Sequence, residues 1–200
     1  KMGYVPYIMP GFDLSRKALA VYEADPSVEG LIVLKHGIFT FGDTAKEAYS
    51  RMIGMVSLAE RRLKKGRKRV FAVAKLPKKT SSVADIVPVL RGLTRHEGKR
   101  LIFDFRGGAK VLNFVNGRDL KRYACQGMAT PDHVIRIRQK PLIAPTPELG
   151  GLDAFRKGTE RALKRFVRDS HANFKRHKGR RKTRKTELDP MPRVALVPGL

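Results

Sequence analysis

Residues 30–42, Gly-Leu-Ile-Val-Leu-Lys-His-Gly-Ile-Phe-Thr-Phe-Gly, constrain the fold of this chain more than any other stretch. Four consecutive apolar residues at 31–34 predict a strand buried on both faces, and residues 38–41 predict a second short strand. His36 then lies where the first strand ends, and Gly37 leaves open space beside it. From the residues alone, a structural histidine and a metal-binding histidine both remain open.

The composition predicts a globular protein without a membrane span. Hydrophobic residues make up 42% of the 200 positions, but the longest apolar runs fall far below the ~18–20 residues that a span needs. The amino end lacks the order of a signal peptide. Cys125 is the single cysteine, so no internal disulfide can form, and we expect a reducing, cytoplasmic setting.

The formal net charge of +25 is concentrated in two segments. Residues 61–79 hold ten Lys and Arg and no acid, and residues 156–185 hold fourteen against Glu160 and Asp169. Such blocks bind phosphate backbones, but they also form solvated helix faces. No aromatic residue lies within 178–185 to stack on bases, so the sequence does not favour specific nucleic-acid binding.

Both ends of the chain are apolar. Residues 1–10 are already strand-like, and residues 194–197 form a short apolar run just before Gly199. Natural termini are usually polar and frayed, so we expect a piece of a longer protein. An apolar strand followed by glycine also begins nucleotide-binding βα units, but one glycine of the fingerprint does not identify such a unit by itself. Gly199 is a candidate cofactor-binding residue only through the family resemblance given below.

The first third of the chain predicts the order helix, strand, strand, helix. Asp13 or Ser15 is expected to cap a first helix, and Thr44 with Glu47 forms a capping-box pattern at the start of a second. The second helix carries one apolar stripe, which we expect to lie in the core: Ala45, Ala48, Tyr49, Met52, Ile53, Val56, Ala59 and Leu63. This order is typical of an α/β domain.

The rest of the chain predicts a basic connector and further α/β structure. The connector includes a short strand at 70–74. After the connector we expect a helix that is capped by Ser81 or Ser82 and runs to Leu93, and then a strand at 100–105. Residues 109–115 are expected to form a strand or a helix, and residues 119–125 a short helix. A long helix with one apolar and one basic face is expected from Leu152 to about Gly179.

Residues 129–136, Ala-Thr-Pro-Asp-His-Val-Ile-Arg, are expected to form a polar loop leading into a strand. Pro131 restricts the backbone and would hold Asp132 and His133 in a defined place. Together with Arg136 they are candidates for proton transfer or for facing a phosphate. Ordinary turn chemistry with a surface histidine is the alternative.

Residues 30–42, followed by Ala-Lys-Glu-Ala-Tyr at 45–49, resemble a conserved block of the class II aldolase/adducin family. The segments 100–105, 129–136 and 188–200 resemble the long bifunctional members, in which the aldolase is fused to a short-chain dehydrogenase. That family has an α/β/α sandwich fold and holds zinc with three histidines. The resemblance implies that His36 is the third zinc ligand.

The resemblance also implies a domain plan. Residues 1–65 would be the C-terminal half of the aldolase domain, residues 66–80 a basic connector, and residues 81–150 a second, smaller α/β unit. Residues 151–185 would be the long basic helix with its linker, and residues 186–200 the first strand of a Rossmann-like dehydrogenase domain.

The chemistry implied is retro-aldol cleavage of a ketose 1-phosphate similar to rhamnulose 1-phosphate, giving dihydroxyacetone phosphate and lactaldehyde. Zinc would act as a Lewis acid, the dehydrogenase part would process the aldehyde with NAD, and the full-length protein would be a homo-oligomer. The family's His-x-His pair and catalytic Glu are missing here, and His96, His133, His171 and His177 do not match them. We therefore expect the chain alone to be inactive.

Two other functions are compatible with the sequence. A non-enzymatic protein similar to adducin would use the fold as a scaffold and the basic tail to bind acidic partners. A nucleic-acid-binding protein would use residues 61–79 and 156–185.

Overall fold

The structure is a computed structural model that describes residues 1–66, 71–180 and 185–200. The chain divides into two compact units, one within residues 1–69 with 129–131 and the other within residues 70–128 and 132–200. The elements in chain order are β1 (Met2–Val5), α1 (Phe12–Ala24), β2 (Gly30–Val33), β3 (Gly37–Thr40), α2 (Ala45–Lys64), α3 (Val83–Leu93), α4 (Ala109–Val115), α5 (Leu120–Ala124), α6 (Pro131–Ile137), β4 (Leu142–Ile143), α7 (Leu152–His177) and β5 (Ala195–Leu196). Helices and strands are mixed throughout, which confirms the predicted α/β class.

The first unit is built on a three-stranded sheet in the order β1-β2-β3. β1 runs parallel to β2, and β2 runs antiparallel to β3. A parallel pair needs a crossover connection, and α1 supplies it. Three buried residues, Val5, Val28 and Leu31, form the core on one face of the sheet against the apolar side of α1.

The expectation that β2 is buried on both faces is wrong. Leu31 faces α1 and is 3% exposed, whereas its neighbour Ile32 points to the opposite face and is 44% exposed. Tyr4 lies beside Ile32 in the register and is exposed too. The described residues leave this part of the second face open, because α2 packs on the edge strand β3.

The predicted start of α2 is confirmed, with one difference. Thr44 Oγ1 accepts a hydrogen bond from the Glu47 amide at 3.1 Å, but the Glu47 carboxylate accepts from the Asp43 amide, at 3.0 Å. For α1 the expected side-chain caps are wrong, because Gly11 occupies the N-cap and no side chain caps the helix. The φ of 138° at Gly11 favours glycine there.

The expectation that the apolar stripe of α2 lies in the core is wrong for the described part of the chain. None of its residues is buried, and Tyr49 and Leu63 are 68% and 78% exposed. Length accounts for the far end of the stripe, because a 20-residue helix spans about 30 Å, whereas the four-residue strand β3 spans only about 13 Å. We call these exposed residues the α2 stripe: Tyr49, Ile53, Val56 and Leu63.

The second unit packs α3 and α7 around the two-stranded parallel sheet of β4 and β5. Its buried core residues come from α3, from α7 and from β4 with the residue after it: Ile86, Leu90, Leu142, Ala144, Phe155, Leu163 and Phe166. Ala195 of β5 packs against them and is partly buried. The predicted cap is confirmed, because Ser82 and Asp85 form a reciprocal capping box at the start of α3. Residues 109–115 resolve as helix, and the short helix α5 and the long helix α7 are confirmed.

Three expectations for strands after the first unit are wrong. Residues 100–105 have no strand partner, and Ile102 is 95% exposed. Of residues 70–74, the first lies outside the described residues, and the others form only an isolated bridge between Val73 and Gly117. The segment after Thr130 is the helix α6, because proline lacks an N–H and has a fixed φ, which suits a first helical turn.

Residues 185–200 pack within the second unit. The Leu142 amide donates to the carbonyl oxygen of Val194 at 2.9 Å, and the Ala144 amide donates to that of Leu196 at 3.0 Å. The predicted strand at 194–197 is thus present as β5. Among the described residues, no helix combines the length and the apolar character needed to cross a membrane.

A charged cluster around Asp189 ties this final segment to the end of α6. Asp189 accepts hydrogen bonds from Arg138 at 2.8 Å, from the Met191 amide at 3.1 Å and from Arg193. Burial raises the pKa of the Asp189 carboxyl, but the hydrogen bonds from Arg193 and Met191 and the charges of both arginines outweigh burial. The net effect is a pKa below the ordinary value.

This cluster predicts a pH-dependent loss of stability. Asp189→Asn removes the charge that both arginines bind and is expected to cost about 1–2 kcal/mol at pH 7, which lowers Tm by about 2–6 °C. Because the folded-state pKa is lowered, this stabilisation is full above the unfolded value of about 3.9 and is lost as pH falls through the folded value. The Tm difference between wild type and variant should therefore begin to narrow below about pH 4 and disappear as pH falls through the folded-state pKa.

Asp104→Asn is the matched control, because the Asp104–Arg106 pair is exposed on both sides. We expect its Tm to follow the wild type at every pH. A difference for Asp189→Asn that persists unchanged at pH 3 would contradict the role assigned to this carboxylate.

Candidate functional site

His36 lies in the tight turn that joins β2 to β3. Its amide donates to the Val33 carbonyl at 2.9 Å, which closes the turn. The turn needs two residues at positive φ, Lys35 at 66° and Gly37 at 126°. Because a side chain at φ 126° is strained, the glycine after the histidine is required by the backbone, and it also leaves the space beside the imidazole open.

The imidazole of His36 is held from two directions by the segment after β1. Its Nε2 lies 2.8 Å from the Ile8 carbonyl oxygen, and its ring stacks on Tyr7 with centroids 5.6 Å apart and planes 11° apart. Because a carbonyl oxygen only accepts, Nε2 must carry the proton. Nδ1 of the neutral ring therefore keeps its lone pair, and a histidine oriented by a backbone carbonyl is typical of metal ligands.

A cavity of about 980 Å³ adjoins His36 within the first unit. Its walls come from α1, β2, β3 and the start of α2, and most of its lining is apolar, including Leu14, Ala18, Tyr22 and Phe41. Two charged side chains on α2 contribute polar groups: Arg51 donates to the Phe41 carbonyl at 2.8 Å and pairs with Glu47 at 2.6 Å. A largely apolar cavity with a few fixed polar groups is the usual form of a small-molecule site.

The described residues around the cavity do not by themselves form a metal site. Within residues 1–66, 71–180 and 185–200, no group of three or more His, Cys, Asp or Glu is placed to hold a metal ion. A catalytic zinc needs about three protein ligands and an open position. His36 fits the part of one ligand, and the rest of such a site would have to come from other residues.

The other candidate residues from the sequence lie elsewhere. Asp132, His133 and Arg136 are exposed on α6 and belong to the second unit, whereas His36 belongs to the first. The expected rigid loop at a strand entrance is replaced by a helical turn, in which Asp132 and Arg136 are four residues apart. The roles predicted for these three residues stay predictions, separate from that of His36.

Gly199, the candidate cofactor-binding residue, is packed inside the second unit. Its amide donates to Asn116 Oδ1 at 2.7 Å, and a Cβ atom there would lie 2.9 Å from Thr80 Cγ2. Its φ of 94° favours glycine as well. In the described structure this glycine serves a turn, and its role toward a cofactor stays a prediction.

Sequence reasoning missed the residues that orient His36. Tyr7 and Ile8 are separated from it by 29 and 28 residues, and they reach it only because β1 pairs with β2. The Glu47–Arg51 pair could have been found, since a spacing of four on a predicted helix brings opposite charges together.

Comparisons with known proteins identify both parts of the chain. A profile described as "Class II Aldolase and Adducin N-terminal domain" matches residues 1–63, and one described as "Aldolase class II, second domain" matches residues 81–200. The curated "Uncharacterized oxidoreductase YuxG" of Bacillus subtilis (strain 168) is 29% identical over 205 residues. That alignment covers 98% of this chain and 29% of the relative, so the chain spans about three-tenths of the relative's length. No solved structure matches the chain significantly.

The geometry predicts opposite tautomers for two histidines of the same chain. Neutral His36 should carry its proton on Nε2, because that atom faces the Ile8 carbonyl. Neutral His171 should carry it on Nδ1, which lies 2.8 Å from the Glu187 carboxylate. Long-range ¹⁵N–¹H correlation spectra at a pH where both rings are neutral distinguish the two forms directly.

His171 is the internal control for this measurement, because carbonyl and carboxylate oxygens both only accept. Finding the proton of His36 on Nδ1 would contradict the proposed orientation of the ring.

Proposed function

Because the chain belongs to the class II aldolase and adducin family, we propose that it is part of a metal-dependent aldolase acting on a phosphorylated ketose. The observation that carries the proposal is His36, which is oriented by a backbone carbonyl beside an open cavity whose lining is mostly apolar. The substrate we propose is a ketose 1-phosphate similar to rhamnulose 1-phosphate. Its cleavage would give dihydroxyacetone phosphate and lactaldehyde.

In this proposal His36 holds a zinc ion through the ring nitrogen that the Ile8 carbonyl does not use. A zinc ion bound there would supply Lewis-acid polarisation of the substrate oxygens. Other residues of this chain would support the site: Tyr7 and Ile8 fix the ring, and the apolar walls of the cavity would contact the carbon atoms of the substrate.

We further propose that the active protein is longer than this chain. The α2 stripe supports this, because an apolar stripe that the described residues leave uncovered is normally buried against other structure. The greater length of the curated relative supports it too. Additional chain would supply the remaining zinc ligands and the catalytic Glu, and residues 1–65 would form the C-terminal half of the aldolase domain.

A fused dehydrogenase is the second part of this proposal. The curated relative is named an oxidoreductase and has more than three times the length of this chain, which leaves room for an NAD-dependent domain. In this plan residues 66–80 connect the aldolase part to the unit 81–150, the helix and linker 151–185 follow, and residues 186–200 lead into the dehydrogenase. The complete protein would be a homo-oligomer.

The test uses the full-length protein expressed from its complete coding sequence. We expect cleavage of rhamnulose 1-phosphate, measured as dihydroxyacetone phosphate released. His36→Ala should lower kcat/KM at least about 100-fold, because even the partners that orient a metal ligand are worth ~10–100-fold. His96→Ala, in a hairpin turn of the second unit, is the control and should leave activity unchanged.

Two results would contradict the proposal. One is full activity in the His36→Ala variant. The other is a full-length protein that neither binds zinc nor cleaves ketose phosphates, which would favour a scaffold similar to adducin.

A further inference from the structure

The helix α7 has two faces of opposite character. One face is buried in the second unit through Phe155, Thr159, Leu163 and Phe166. On the opposite side, seven exposed cations follow the helical repeat along its length. We call these residues the α7 basic stripe: Lys157, Arg161, Lys164, Arg165, Arg168, Lys175 and Arg176.

Acidic residues do not interrupt the α7 basic stripe. Glu160 lies at its border and pairs with Lys164 at 2.8 Å. Asp169 lies at the other border, where its stronger contact is with Lys140, at 2.7 Å, and its contact with Arg168 is 3.5 Å. Among the described residues, Lys157, Arg161 and Arg165 have no ion-pair partner within the helix or outside it. Most of the positive charge is therefore available to a partner.

The dimensions of the stripe suit a phosphate backbone. From Lys157 to Arg176 the helix rises about 28 Å, at 1.5 Å per residue. One strand of duplex DNA carries a phosphate every 3.4 Å along its axis, so this length corresponds to about eight base pairs. From Lys157 to Arg168, repeats of three or four residues place cations about 4.5–6 Å apart along the helix axis, and about 10 Å separates Arg168 from Lys175. The cations can therefore reach several phosphates of one strand.

Two other polyanionic surfaces fit less well. A basic helix binds a membrane surface by burying its apolar face in the lipid, but the apolar face of α7 is already used in the core. An acidic protein presents separate carboxylates among neutral groups, whereas the cations of the α7 basic stripe recur along about 28 Å of helix and match a regular row of phosphates better. The stripe contains no aromatic side chain, so it cannot stack on bases or read them.

We propose that the α7 basic stripe binds the phosphate backbone of duplex nucleic acid without sequence preference. This goes beyond the proposed aldolase function and does not depend on it. The expectation against nucleic-acid binding rested on the lack of stacking residues, which bears on base recognition and not on phosphate contacts. The affinity should be that of non-specific binding, with Kd about 10⁻⁴–10⁻⁶ M at physiological salt.

The experiment measures anisotropy of a fluorescent 20-base-pair duplex with the intact chain between 50 and 200 mM salt. The test variant carries Lys157→Gln, Arg161→Gln, Arg165→Gln and Arg168→Gln. We expect it to lower the slope of log K against log salt by about 3–4, because each phosphate contact contributes about 0.9. Since these side chains are exposed, Tm should stay within about 2 °C of wild type.

The matched control removes the same charge from the C-terminal end of α2 and the residue after it, with Arg61→Gln, Arg62→Gln, Lys64→Gln and Lys65→Gln, all exposed. It should keep most of the wild-type affinity and slope. Equal losses in both variants would overturn the proposal, since only net charge would then matter. No binding at 50 mM salt would overturn it as well, as would tighter binding to phosphatidylserine vesicles or to polyglutamate than to the duplex. Duplexes of two unrelated sequences should bind equally.

Discussion

The parallel pairing of β1 with β2 is the interaction on which the first unit depends. It requires the crossover helix α1, and the apolar side of α1 then buries Val5, Val28 and Leu31. The pairing continues past the strands, because the Leu34 amide donates to the Val5 carbonyl at 3.0 Å. That register places Tyr7 and Ile8 beside the turn that contains His36. The pairing of β1 with β2 therefore determines both the core of the sheet and the orientation of the candidate ligand.

Features with a local cause could be predicted from the sequence. The capping box at Ser82, the cap at Thr44 and the two-faced pattern of α7 all depend on residues within a few positions of one another. Features that depend on distant partners could not. Residues 100–105 have the composition of a strand but find no partner, and the apolar repeat of α2 is longer than the four-residue strand β3 on which the helix packs.

The features of the candidate site also divide into those with a local cause and those that depend on distant residues. The position of His36 at a strand end and the need for Gly37 follow from residues 30–42, whereas the contacts that fix its tautomer come from a segment 28 residues away. The segment after Thr130 is predicted incorrectly from local residues, because Pro131 is expected to restrain a loop and instead begins the helix α6. The ion pair between Asp189 and Arg138, which are far apart in the sequence, also could not be predicted from it.

The central claim is that His36 is one ligand of a zinc site completed by residues outside the described chain. X-ray absorption at the zinc edge of the full-length protein tests it most directly, by counting imidazole ligands in the wild type and in His36→Ala. The account predicts a bound zinc with several imidazoles in the wild type, and one imidazole fewer or no zinc in the variant. An identical zinc environment in both proteins would contradict it.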